Sequence, residues 1–152
     1  MRRTILLLAA AALVSTGASA QNVGRNPAFG TLNLSSGFPN DPRVVNVTAG
    51  GQRNANGLGD GCVGSIADAP DVRVNYEAGS LPLNFFVTSG EDTTLVINGP
   101  DGQWSCNDDS NGLNPMIRFD HPASGQYDVW VGSMDNGTLH AARLSVSEIG
   151  AR

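Results

Sequence analysis

Apolar and polar residues alternate with a period of two at eight places in this chain, starting after about residue 28. Leu32 and Leu34 share one face of the first stretch, and Val45 and Val47 repeat the pattern beside Asn46 and Thr48. Val72, Val74 and Tyr76 alternate with Arg73, Asn75 and Glu77, and Leu81, Leu83, Phe85 and Val87 form the next apolar face. Leu95 and Ile97, Ile117 and Phe119, Tyr127 with Val129 and Val131, and Ala142 with Leu144 and Val146 complete the set. A period of two places successive side chains on opposite faces of an extended backbone, so each stretch predicts a half-buried strand. Turn chemistry separates them: a Gly-Phe-Pro-Asn-Asp-Pro segment at 37–42, Ala78-Gly79-Ser80, Asn98 to Gly102, Ala123 to Gly125 and Asp135-Asn136-Gly137. No stretch beyond residue 28 shows a 3.6-residue repeat with helix caps. Strands in sequence without helices between them have no βαβ crossover. The expected fold is therefore all-β: a single antiparallel β-sandwich of about eight strands, jelly-roll or Greek-key, spanning residues 28–150. Residues 49–61, rich in glycine and asparagine, carry no strand signal and read as a long loop ending at Cys62.

The first twenty residues do not fit this pattern. Met1-Arg2-Arg3 is a positive start, Ile5 to Val14 is apolar throughout, and Ala18-Ser19-Ala20 has the small-x-small form of a cleavage site. This predicts a secretory signal peptide cleaved after Ala20 and a periplasmic or secreted protein. Ten apolar residues are too few to cross about 30 Å of hydrocarbon, and no other segment is longer, so no membrane span is expected. Residues 21–27 read as a flexible lead-in.

Composition narrows the functional classes. The full chain carries 14 carboxylates against 9 arginines and no lysine, a formal net charge of −5. Cleavage would remove Arg2 and Arg3 and leave seven arginines against fourteen carboxylates, a net charge of −7. A phosphate-gripping nucleic-acid module would be basic, so no nucleic-acid partner is expected. With 19 glycines and 8 prolines a helical bundle is excluded, and 40% hydrophobic content is too high for a disordered tail.

Two cysteines, Cys62 and Cys106, occur 44 residues apart. In an exported chain an even count predicts a disulfide. Zinc would need more ligands than His121 and His140 supply at this spacing. Trp104, two residues before Cys106, is expected to lie near that bond, and Trp130 to be covered on the second face of a central strand. Tyr127 after Ser124-Gly125-Gln126 is a candidate for a tyrosine-corner hydrogen bond.

Catalytic chemistry has few carriers here. There are two histidines and no Gly-x-Ser-x-Gly elbow, so no catalytic residue is assigned. The densest polar stretch is Asn98 to Asn114. Its hard oxygens make Asp101, Asp108, Asp109 and Asn114 candidate calcium ligands. Asn107 to Gly112 begins like an EF-hand loop, but position 12 is Arg118 in place of a bidentate glutamate. The other reading of the same residues is turns alone, since Asp and Asn bond their own backbone.

Four segments together resemble a family. They are DTTLVINGPDG at 92–102, CNDD at 106–109, NPMIRF at 114–119 and GQYDVWVG at 125–132. This series is similar to the bacterial pre-peptidase C-terminal domain, over about residues 72–149. The resemblance implies a jelly-roll-like β-sandwich of the kind attached to secreted peptidases and other exported enzymes. Related collagen-binding domains bind calcium and a protein fibre, but residues 28–48 do not reproduce their calcium segment, so no ligand carries over. The expected function is an exported, non-catalytic binding or accessory domain recognising a protein, a glycan or an envelope component. The alternatives are a small hydrolase using a carboxylate pair such as Asp108 and Asp120, or a purely structural envelope protein.

Overall fold

The computed structural model describes residues 21–150; the expected signal peptide at 1–20 lies outside the described residues. Among the described residues there are eleven strands and no helix. They are β1 (Thr31–Ser35), β2 (Arg43–Ala49), β3 (Arg53–Asn54), β4 (Ser65–Ile66), β5 (Val72–Glu77), β6 (Leu83–Ser89), β7 (Thr93–Asn98), β8 (Trp104–Asn107), β9 (Met116–Phe119), β10 (Gly125–Ser133) and β11 (His140–Ser147). Each of the eight alternating stretches is one of these strands. The additional three have no alternation to read: β3 and β4 are two residues each, and β8 is a short polar segment.

Seven strands form the first sheet and four the second. In the first sheet β10 is central, paired with β7 on one edge and with β5 and then β4 on the other. β8 extends the sheet beyond β7, and β1 extends it beyond β5. The second sheet runs β2-β11-β6-β9. All pairs are antiparallel except β1 with β5, which is parallel. The chain builds β2, β3 and β4 between those two strands, so its return is long enough for a parallel partner without a helix.

The inner faces of both sheets form one core around Val72, Val74, Phe85, Leu95, Tyr127 and Leu144. Phe85, Phe119 and Tyr127 meet there with ring centroids 5.3–6.0 Å apart, in tilted and edge-on arrangements that aromatic quadrupoles favour. The Tyr127 hydroxyl donates to the Ala123 carbonyl at 2.8 Å, the expected corner. Beside it, Gly125 has φ +141° and a Cβ there would come within 2.7 Å of Pro100 Cβ. The Pro-Asp-Gly turn and the Gly-x-Tyr strand, two separate motifs in sequence, therefore lie against each other. Cys62 and Cys106 are joined, with S–S 2.02 Å and Cα atoms 4.9 Å apart.

Candidate functional site

The two sheets treat their outward faces differently. On the first sheet, period-two alternation sends Val96, Trp104, Cys106 and Trp130 outward, away from the main core. They are not left in solvent. The segment after β2 folds back across them, and Ala55, Leu58, Cys62 and Ile66 close a second apolar cluster over Trp130. Trp130 is 0% exposed, and the Trp104 ring lies 5.4 Å from it at 45°. The glycine- and asparagine-rich segment that carries no strand signal is thus a lid, tied at Cys62. Its approach requires Gly132, where a Cβ would meet Thr94, Ile66 and the Ser65 carbonyl at 2.6–2.8 Å. Below Trp130 the same face is covered by polar means. Arg73 donates to Asp128 at 2.7 Å and to the carbonyls of Val23 and Arg25 at 2.7 and 3.1 Å. Residues 21–27 are held further by Arg25 to Asp68 at 2.6 Å and by Gln21 to the Ala67 carbonyl. The Arg25 guanidinium holds the Asp68 carboxyl below its ordinary value.

On the second sheet the outward face is open in part: Asn46, Thr88 and Arg143 are exposed and Phe86 is half-buried, while Asn84, Ser145 and Ser147 on the same face are buried. The registers put Val44, Ser145, Phe86 and Met116 in one row across all four strands. Asn46, Arg143 and Thr88 form the neighbouring row. Val44 is 49% exposed and Met116 37%. Two clefts open on this face and share Thr88: one of about 450 Å³ beside Arg143 and Asn46, the other of about 230 Å³ beside Phe86 and Met116. Ser110, Asn111 and Asn114 wall the second. Sequence reasoning missed this face. Its signal was an apolar residue out of phase, Phe86 beside Phe85, and a methionine at a polar-phase position, Met116.

The residues singled out as calcium candidates are dispersed. Asp108 and Asp109 follow β8 at the end of the sandwich that carries the β6–β7 turn. Asp92 and Asp135 belong to the same end, where the Met134 N–H donates to the Asp92 carbonyl at 3.1 Å. Burial first, then the charges of Asp109, Asp108 and Asp135, raise the Asp92 pKa above its ordinary value. Asp101 lies in the β7–β8 turn at the opposite end, where its Oδ1 accepts the Gln103 N–H at 3.0 Å. Asn114 spends its Oδ1 on the Ser89 N–H at 2.8 Å. Among the described residues no three His, Cys, Asp or Glu side chains converge as a metal group. Asp120 is also at the far end from Asp108, where Arg118 donates to it at 2.7 Å, so that carboxylate pair does not converge on one bond. Ser105, His121 and Asp101 line a cleft of about 150 Å³, yet among the described residues no hydrogen bond links them as a nucleophile, base and orienting acid.

Besides Asp128, two carboxylates are buried for structural ends. Asp71 sits where β5 hands the edge of β10 over to β4. Its N–H donates to the Val129 carbonyl, and its Oδ2 accepts the Val131 N–H at 2.7 Å. The Gly50 N–H donates to the Val131 carbonyl at 2.9 Å, so this gap in the ladder leaves Val131 satisfied. Burial pushes the Asp71 pKa up to about 7. Glu148 accepts from the Tyr76 hydroxyl at 2.6 Å and from the Gly37 N–H at 2.8 Å, tying the end of β11 to β5 and to the loop before β2. Burial and this carboxylate raise Tyr76 to about 12.

These features define a disulfide-linked β-sandwich with one lidded and one open sheet. No family model and no curated protein sequence matches the chain. Solved structures do match it. One is the pre-peptidase C-terminal domain of a collagenase from Bacillus anthracis, 16% identical, covering 81% of this chain and 98% of that one with a TM-score of 0.49. That is the domain type whose motifs the sequence resembles. Another is a periplasmic inhibitor of g-type lysozyme from Aeromonas hydrophila, 14% identical, covering 78% of this chain and 96% of that one with a TM-score of 0.40. At these identities no property of either protein extends to this chain.

Proposed function

We propose that the chain is an exported, non-catalytic binding or accessory domain of pre-peptidase C-terminal type, and that it meets a partner protein through the outward face of the β2-β11-β6-β9 sheet. The observation that carries this reading is the contrast between the two outward faces. The first sheet hides its apolar residues under a lid and a bound lead-in. The second leaves Val44 and Met116 exposed and Phe86 half-buried in one row, with Ser145 between Val44 and Phe86. Apolar side chains lined up on an open face are a feature of interaction surfaces. The disulfide fits an oxidising compartment, which agrees with export.

The test is photocrosslinking in the exported fraction of the native host, with the reactive side chain placed at Asn46 or Thr88 on this face, or at Asp60 on the lid. One defined protein adduct from Asn46 and Thr88, and none from Asp60, is expected. Equal adducts from both sides, or adducts from Asp60 alone, would overturn the reading.

A further inference from the structure

Resting on that reading, we infer that the partner presents an extended, acidic polypeptide segment, whose carboxylate meets Arg143 while an apolar neighbour on the same face of the segment lies on Phe86. Arg143 occupies the middle of the face, on β11, flanked by Asn46 of β2 and Thr88 of β6. It is exposed, and among the described residues it makes no ion pair or hydrogen bond. Carboxylates outnumber arginines 14 to 9, and Arg25, Arg53, Arg73 and Arg118 are each paired with an aspartate; Arg43, half-buried at the start of β2, is the other described arginine without such a pair, so Arg143 is the exposed one. None of the outward positions of β2, β6, β9 and β11 is a carboxylate. The face is therefore positive on an acidic molecule.

Geometry selects the form of the ligand. The Arg143 row and the Phe86 row are two residues apart on the same strands, about 7 Å at ~3.4 Å per residue. Side chains on one face of an extended peptide repeat at the same distance. A segment alternating outward residues, with an acid and an apolar group on the same face, would match both rows at once. The clefts beside Arg143 and beside Phe86 both have Thr88 in their walls, so they are neighbours on this face. A guanidinium fork takes a carboxylate in two parallel hydrogen bonds. The acidic groups of the protein lie chiefly on the other sheet and at its ends. At physiological ionic strength a charge farther than ~8 Å from this face is largely screened and weakens a contact there little.

The experiment is a titration of the 15N-labelled mature chain, followed by amide NMR shifts, with the capped hexapeptide Thr-Glu-Thr-Leu-Thr-Leu, which carries its glutamate and leucines on one face, and with its glutamine counterpart Thr-Gln-Thr-Leu-Thr-Leu. The acidic peptide is expected to shift amides at 86–88 and 141–145 and to bind at least tenfold more tightly than the neutral one. Arg143→Gln, with an unchanged melting temperature, should reduce its affinity to that of the neutral peptide. If both peptides bind this face equally, the acidic partner is wrong and the binding face survives. If an acidic oligosaccharide shifts these amides and neither peptide does, the polypeptide is wrong. If no probe shifts this face, the inference and the proposed function both fail.

Discussion

The outward faces of the two sheets start from the same rule and end differently. Each is the second side of strands whose first side is core. On β10 and β7 the outward residues Trp130 and Val96 are as buried as the core itself, because residues 55–66 close over them. On β6 and β11 the outward Thr88 and Arg143 are exposed and Phe86 is half-buried, although Asn84, Ser145 and Ser147 further along the same strands are buried. The first face contributes stability and the second is available for contact. The difference is imposed by one covalent bond and one loop, since Cys62 fixes the end of the lid to Cys106 on β8.

Breaking the lid should therefore have the largest effect. Opening a disulfide that closes a 44-residue span returns about 4 kcal/mol of loop entropy to the unfolded chain. Here it also uncovers Trp104 and Trp130. Cys62→Ser with Cys106→Ser should lower the melting temperature by roughly 10 °C or more in calorimetry, and tryptophan emission should move to the red before the main transition. A melting curve unchanged by reduction would remove the lid's role.

Next in size comes the Trp130→Ala and Phe86→Ala pair. Emptying the Trp130 site should cost about 3–4 kcal/mol by the usual range for a buried aromatic. Phe86→Ala on the open face should cost about 1 kcal/mol. Chemical denaturation of both variants measures the contrast. Equal losses would mean that the two faces are equally buried in solution.

Much of this fold was legible in the chain, for a physical reason. Alternation reports burial on one side of a strand, so the eight stretches that face the main core were all visible. The Tyr127 corner and the Cys62–Cys106 bond follow from local motif and residue count, and both are present. The lid was not legible. Its apolar residues, Ala55, Leu58 and Cys62, are isolated among glycines and asparagines and have no period, because they cover a face without forming part of a regular strand. The polar stretch from Asn98 to Asn114 looked like one site because it is continuous in sequence. The β7–β8 hairpin separates its two ends, and Asp101 and Asp108 are at opposite ends of the sandwich. The open face has a further difficulty. What makes Arg143 noteworthy is a missing partner, and pairing is set by which strands become neighbours.

The buried Asp71 gives a smaller, pH-dependent way to separate the faces. Its folded pKa of about 7 lies above the ordinary 3.8, so folding favours the protonated form. The resulting stability is fully present below pH ~4 and is lost as the pH rises through about 7. Between pH 8 and pH 5.5 this group should add about 2 kcal/mol of stability. Asp71→Asn keeps an oxygen for the Val131 N–H and removes the titration. The variant should flatten the slope over this window, as read by urea midpoints at several pH values. A slope that persists unchanged would assign it to other groups.

The smallest stability effect belongs to Arg143→Ala, and its smallness is the point. An exposed arginine without a partner contributes little to folding, so the variant should stay within about 0.5 kcal/mol of the parent. Arg73→Ala is the control on the opposite face. It removes one side of a largely buried pair with Asp128 and frees the lead-in from β5, so it should cost about 3 kcal/mol. Two arginines on neighbouring sheets of one small domain would then differ severalfold in their effect on folding. If Arg143→Ala proved as costly as Arg73→Ala, the guanidinium would be holding this protein's own structure, and the open sheet would not be a surface left free for a partner.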